Sequence, residues 1–207
     1  MSPRTRISNQ KIRDERRDQI LHTALKVFAY KGFQATRISD IAAQAGISQG
    51  LINHYFPGKQ AVFTAVVERA MTGALAAFDE ADGSSSDPWE NLTRITGRML
   101  QGLVIHPEYM LVLTQSLVNQ DTPPEAEKYR ASLGNQINTN LIELIKAGQS
   151  AGQVVPGNPE ELAMVFIATI QGLAITQFTQ AMFTQPASPA SPHFLPSAAT
   201  VLRLLKA

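Results

Sequence analysis

The sequence predicts an all-α protein of about nine helices: a short three-helix part at the N-terminus, then a larger helical body. Three observations predict it. Apolar residues recur at helical spacing nearly throughout the 207 residues, as one buried helix face requires. No segment sustains the period-two alternation of a strand, and no Asn-Gly or Asp-Gly pair marks a hairpin. Residues that start or stop helices recur between the apolar stretches.

The first helix is expected from about Asp14 to Lys31, with Ile20, Ala24, Val27 and Phe28 on one stripe. Gly32 stops it, because glycine takes the left-handed conformation that ends a helix. Thr36 is placed to cap a short second helix that Gly46 ends. Ser48 caps a third, with Ile47 and Ile52 as an apolar staple, and Pro57-Gly58 ends that one. A fourth runs from about Lys59 to Phe78, before a small polar loop at Ala81–Asp87. Asp87 and Pro88 open a fifth helix that lasts to about His106, and Pro107 starts a sixth. Thr122-Pro123-Pro124-Glu125 reads as a capping box before a long helix to about Ala151. Asn158-Pro159-Glu160-Glu161 opens another. After a Pro/Ser/Ala loop at Thr184–Pro192, a last helix covers about Pro196–Lys206.

The absence of cysteine excludes a disulfide scaffold and a thiolate metal site. The net charge of +1 argues at first against a nucleic-acid partner. It hides a split. Residues 1–60 carry ten basic and four acidic side chains, net +6; the rest carries eight and thirteen, net −5. A basic quarter on an acidic body points to a polyanion-binding module. The first residues are polar and basic with no apolar core, so they are not a secretory signal. Leu162 to Phe183 is long enough for a membrane span. Its Gln171, Gln177 and Gln180 suit a protein interface better than lipid. A cytoplasmic protein without a membrane partner is expected.

Ile38–Phe56 is the informative segment. Two short helices flank a tight turn containing Gly46, the pattern of a helix-turn-helix. At about 100° per residue, Ile52, Ser48, Tyr55 and Phe56 fall on the inner side of the second helix. Gly50, Leu51, Asn53 and His54 point away, with Gln49 at the edge, and this face would enter the major groove. Its polar readers are amides, which pair well with adenine, and Leu51 suits a thymine methyl. Some A·T pairs are therefore expected in each half-site. Phosphate contacts are expected from Thr36 and Arg37 at a helix start, from the Tyr55 hydroxyl and from Lys59. Residues 1–13, with Arg4, Arg6, Lys11 and Arg13, read as a flexible basic arm.

The sequence resembles the TetR family of transcriptional repressors. The resemblance is carried by Gly32-Phe33-Gln34-Ala35-Thr36, Ile38-Ser39-Asp40-Ile41-Ala42, Ala45-Gly46-Ile47-Ser48-Gln49-Gly50, His54-Tyr55-Phe56 and Lys59. It covers roughly residues 14–67 without a gap. It implies a helix-turn-helix DNA-binding domain over 14–58 and a ligand-binding and dimerisation domain over 59–207. It also implies a homodimer whose last two long helices form the interface, and a ligand that controls DNA affinity. One position departs: the family often has an aromatic residue on a phosphate where Asn53 stands, and the shorter Asn53 reaches a base or a phosphate.

The apolar stripes fit that frame. Leu162, Val165, Phe166, Thr169, Leu173 and Gln177 on one helix, and Ala198, Val201, Leu202 and Leu205 on the last, barely carry charge on any side. They are expected at the dimer interface. Two-fold symmetry would set two recognition helices ~34–36 Å apart on a near-palindromic operator. The candidates for an effector pocket are Trp89, Met99, Leu103, His106, Tyr109, Met110, Gln115, Asn119, Asn138, Phe166 and Phe178. Few charges share their stripes, so a neutral, largely apolar small molecule is expected. The alternatives are an activator, an architectural DNA binder, or a helical enzyme or carrier with an incidental motif. A phosphate loop and a His-Glu-x-x-His motif are both missing, so neither cofactor, metal nor enzyme activity is expected.

Overall fold

A computed structural model describes residues 3–82, 86–183 and 195–207, apart from the side chains of 3–9, 79–82, 178 and 180–183. Among these residues there are nine α-helices and no named strand. They are α1 (Pro3–Lys31), α2 (Ile38–Ala45), α3 (Gln49–Tyr55), α4 (Gly58–Asp82), α5 (Pro88–Ile105), α6 (Pro107–Val118), α7 (Pro124–Ser150), α8 (Pro159–Phe183) and α9 (Ala198–Val201), the last running into a 3-10 turn, Leu202–Leu204. The all-α expectation holds.

The boundaries differ from expectation where local signals compete. α1 starts at Pro3, so the arm expected to be flexible is helical from there. Pro3 suits a first helical position. Beyond it, Gln10 donates to the Asp14 carboxylate at 3.0 Å and Lys11 pairs with Glu15 at 3.9 Å, contacts that favour helix. α7 begins at Pro124, and Thr122 lies too early to cap it. Its hydroxyl instead donates to the Ser116 carbonyl at 3.2 Å. The last helix is shorter than expected because Val155 N–H donates to the Leu205 carbonyl and Ala207 N–H to that of Gln153, at 3.0 and 3.1 Å. Those bonds hold the C-terminal residues extended beside the α7–α8 turn. α4 continues through Asp82, inside the expected Ala81–Asp87 loop, of which 83–85 lie outside the described residues. The Thr184–Pro192 loop lies outside them too.

The chain divides into two compact units, residues 1–69 with 112–129, and 70–111 with 130–207. The first is larger than the expected 14–58. Its core shows why. Phe28 of α1, Phe33 of the following turn and Phe63 of α4 form one aromatic cluster, with ring centroids 4.7 to 6.1 Å apart. Ile20, Leu25, Ile41, Ile52 and Val62 are buried in the same unit. Each such side chain is worth about 1.5–3 kcal/mol of burial, so α1 to α3 are not closed without α4. Gln115 of α6 adds a tie, its Nε2 donating to the Ala29 carbonyl at 3.0 Å.

In the second unit, α5 packs against α8, α9 and the 3-10 turn. Its core includes Leu92, Ile95, Leu103, Leu141, Ile145, Phe166, Ile170, Leu202 and Leu205. Asp87 caps α5, accepting from the Trp89 and Glu90 amides at 2.8 and 3.3 Å. Asn158 caps α8, accepting from the Glu160 amide at 2.8 Å. Among the described residues, the helix long and apolar enough to cross a membrane is the Gly58–Phe78 stretch of α4, where Val62, Phe63 and Val67 lie in the core.

Candidate nucleic-acid interface

The geometry of the helix-turn-helix begins at Gly46. Its φ of +66° is the left-handed conformation that favours glycine. There Gly46 N–H reaches the Ala43 carbonyl at 3.3 Å and Ile47 N–H reaches Ala42 at 3.0 Å, closing the end of α2. Two residues on, Ser48 Oγ accepts from the Leu51 amide at 3.1 Å and starts α3. Ile41 and Ala42 of α2, with Ile52 and Phe56 of α3, are buried and lock the pair. Gln19 of α1 donates from Nε2 to the Ala45 carbonyl at 3.2 Å.

On α3, Gln49, Gly50, Asn53 and His54 are exposed, and Leu51 is half-buried. This is the outward face expected to read bases. Tyr55 is half-buried, its ring edge-on to His54 with centroids 5.4 Å apart. Ser48 departs from its expected inward position. It is exposed, because the cap residue sits where the chain enters the helix.

The expected phosphate contacts divide. Arg37 is exposed and stands at the cap position of α2, its amide donating to Asp40 Oδ2 at 2.8 Å. Thr36, by contrast, is 1% exposed, and its hydroxyl donates to the Gly32 carbonyl at 2.6 Å. It closes the turn after α1 and neither caps α2 nor offers its hydroxyl to a phosphate. Lys59 is half-buried; its Nζ donates to the carbonyls of Phe33 and Gln34 at 2.8 and 3.2 Å, leaving one of its three N–H groups. Arg17, which follows the basic arm in sequence, has its guanidinium 5.2 Å from the Phe56 ring centre and so sits beside the end of α3. Sequence reasoning missed the Lys31–Asp40 ion pair at 2.6 Å. That hydrogen bond, followed by the Arg37 amide, holds the Asp40 carboxyl below its ordinary range.

The expected effector residues are divided between the two units. Gln115 and Asn119 belong to the first unit. The Asn119 side chain accepts from the Asp121 amide at 3.5 Å in the turn after α6. Trp89 and Leu103 lie on one helix, roughly 21 Å apart at ~1.5 Å per residue. Trp89 is tied to the C-terminal end, with Lys206 Nζ 6.0 Å from its ring centre. His106 is exposed and meets the Tyr109 ring edge-on at 5.7 Å. Met99 and Met110 are half-buried, Leu103 and Phe166 buried, and Asn138 exposed; the Phe178 side chain lies outside the described residues. An open cleft of about 610 Å³ in the first unit is lined by Tyr55, Phe56, Glu68, Pro123 and Tyr129 among others, and by none of the eleven candidates.

The expected interface stripes are corrected as well. Phe166 and Gln177 of α8 and Val201, Leu202 and Leu205 of the C-terminal turn are buried within the chain itself. Their lack of charge is explained by their own core. Leu162, Thr169, Leu173 and Ala198 are half-buried. The uncharged face left open on α8 is Met164, Val165, Ala168, Gly172 and Ile175, with Met164 64% and Ile175 44% exposed. The threonines beside it bond to their own helix: Thr169 donates to Val165 and Thr176 to Gly172, both at 2.8 Å.

A capped helix-turn-helix with an exposed row of amides and flanking cations has the geometry of a DNA-reading module. Comparison with known proteins agrees. The family described as "Bacterial regulatory proteins, tetR family" matches residues 20–66. The chain is 29% identical to the transcriptional repressor NicS of Pseudomonas putida, over 67% of this chain and 66%, just under two thirds, of that protein. The MbdR regulator of Azoarcus sp. CIB superposes with a TM-score of 0.77 at 24% identity, covering 91% of this chain and 96% of that one. A transcriptional regulator from Saccharomonospora viridis, solved in complex with choline, superposes with a TM-score of 0.67 at 26% identity, over 80% and 86%. Over residues 20–66 the chain is thus similar to the tetR family of bacterial regulatory proteins, and over most of its length it superposes on regulators of that fold.

Proposed function

We propose that the chain is a cytoplasmic repressor that binds a near-palindromic operator as a homodimer. A small, neutral and largely apolar molecule in the second unit releases it. The observation that carries the DNA-reading part is the exposed Gln49, Asn53 and His54 row on a helix held by the Ser48 cap and the buried Ile52. Amides there favour A·T pairs in each half-site. TetR-family regulators act as dimers, and the open apolar face of α8 supports that face as the contact. For the effector, the choline complex of a similar regulator supports a small-molecule response. Most of the side chains buried in the second unit are apolar, which supports a largely apolar ligand.

Selection of the bound sequence from random DNA, followed by gel shifts at several salt concentrations, tests this. The expected result is a two-fold-symmetric site with A·T pairs in each half and salt-dependent affinity. A core read only through G·C pairs, or binding without sequence preference, overturns it.

A further inference from the structure

We propose that Gln177 is the polar anchor of the effector site, and that the effector is an otherwise apolar molecule carrying a hydrogen-bond acceptor such as a ketone or ester carbonyl. This rests on the ligand-responsive reading above. Gln177 lies on α8 and is 7% exposed. Its Nε2 is buried with no hydrogen-bond partner. A sealed amide donor without an acceptor is costly, and native proteins keep few of them.

No acceptor bonds it. Phe166, Ile170 and Ala174 precede Gln177 on the buried face of α8, all apolar. The other buried polar side chain of the second unit, among the described residues, is Thr96, whose hydroxyl donates to the Leu92 carbonyl at 2.7 Å. Gln115 of the first unit is the useful contrast. There the fold gives the amide nitrogen a carbonyl, that of Ala29, at 3.0 Å. Gln115 is a structural tie; Gln177 has the same donor and nothing to bond.

The chemistry follows. The orphaned atom is a donor, so its complement is an acceptor. Phe166, Ile170 and Ala174 on the same buried face are apolar, so the part of the ligand beside them is apolar. Because Nε2 is sealed in the ligand-free chain, the ligand enters by parting the core around α8. That opened state gains a hydrogen bond which the closed state lacks, and binding shifts the population toward it.

The test uses the full-length protein, with cyclohexanone and methylcyclohexane as probes of similar size, with and without a carbonyl. Ligand-observed NMR should show cyclohexanone losing about tenfold or more in affinity on Gln177→Met, the loss expected for a hydrogen bond to a buried, otherwise unpaired donor, while methylcyclohexane does not lose affinity, so that the different hydration of the two probes cancels. Gln177→Met should also melt at a higher temperature than the wild type. A crystal of the wild type soaked in cyclohexanone should place the ketone oxygen on Gln177 Nε2. Four results overturn the proposal: an equal change in affinity for both probes on Gln177→Met, no binding of either probe, a lower melting temperature for Gln177→Met, or an ordered water already bridging Nε2 in the unsoaked crystal. Operator anisotropy in the same titration separates this from the wider reading. If the ketone binds through Gln177 without weakening the operator complex, release by ligand fails while the anchor stands. If another compound releases wild type and Gln177→Met equally, release stands and the anchor falls.

Discussion

Lys59 reaches from the start of α4 to Phe33, its Nζ 2.8 Å from the carbonyl oxygen and 4.4 Å from the centre of the ring. One cation thus closes the carbonyl end of the α1–α2 turn and packs on the aromatic cluster beneath it. The ammonium is held in place in the DNA-free chain.

Lys59→Gln should therefore cost stability before it costs affinity. It removes two charge-assisted hydrogen bonds and the cation–ring contact from a half-buried site, about 1–3 kcal/mol in all. Urea unfolding of the DNA-free protein measures this. A residue serving only as a phosphate contact would leave the urea midpoint unchanged and lower the salt slope of operator binding by about one.

Thr36→Val keeps the shape of a buried side chain and removes the hydroxyl that donates to Gly32. The expected loss is about 1 kcal/mol of stability. Operator affinity of the folded protein should stay within about twofold, since the residue is not at the surface. A drop of tenfold or more, with unchanged stability, would return Thr36 to the DNA contacts.

These two residues show where sequence reading stops. The caps at Ser48, Asp87 and Asn158 and the turn at Gly46 were legible because each is chemistry among a few consecutive residues. The outward row Gln49, Gly50, Asn53 and His54 was legible from helical geometry. Thr36 was not, because its partner depends on how the chain turns after Gly32. Gln115 was not, because Ala29 lies 86 residues away in sequence. The buried side of α8 was not, because a helix apolar all round has no period that names its inner face.

Asn53→Ala and Gln49→Ala should each relax specificity at one base pair per half-site, with about 1–3 kcal/mol less discrimination against the wrong base. Neither side chain bonds to another part of the chain in a way that is needed for folding, and both are exposed. Thermal melting should be unchanged, and affinity for random DNA should hold. Gel shifts against single-base operator variants give the answer. Loss of affinity uniformly across all sequences would assign the residue to phosphate instead.

Acid should loosen both units. Asp40 is held below its ordinary range mainly by the Lys31 hydrogen bond, and Asp87 mainly by the Gln153 side chain. A carboxyl whose folded value is depressed stabilises the protein above its unfolded value and loses that contribution as pH falls through the folded one. The urea midpoint should thus be flat from neutral pH down to about 5 and fall below about 4, the ordinary aspartate range. Asp40→Asn and Asp87→Asn should each flatten the fall. An unchanged profile in both variants would mean these contacts contribute nothing in solution.

The open face of α8 yields the sharpest test of assembly. Met164, Ala168, Gly172 and Ile175 recur at helical spacing and are exposed, and the neighbouring threonine hydroxyls are spent on the helix backbone. That face carries no charged side chain. In a two-fold dimer the same face meets itself, so one substitution enters the contact twice. Ile175→Glu would bring two like charges into an apolar interface, a penalty of several kcal/mol. Sedimentation should show monomer where the wild type is dimer, and operator affinity should fall with it because the paired half-sites are no longer bridged. The change is outside the chain's own core, so helix content should stay the same. Gln101→Glu, an exposed position on α5, is the control and should remain dimeric. If Ile175→Glu stays dimeric while Leu162→Glu or Leu173→Glu does not, the half-buried edge of α8 makes the contact instead of its open face.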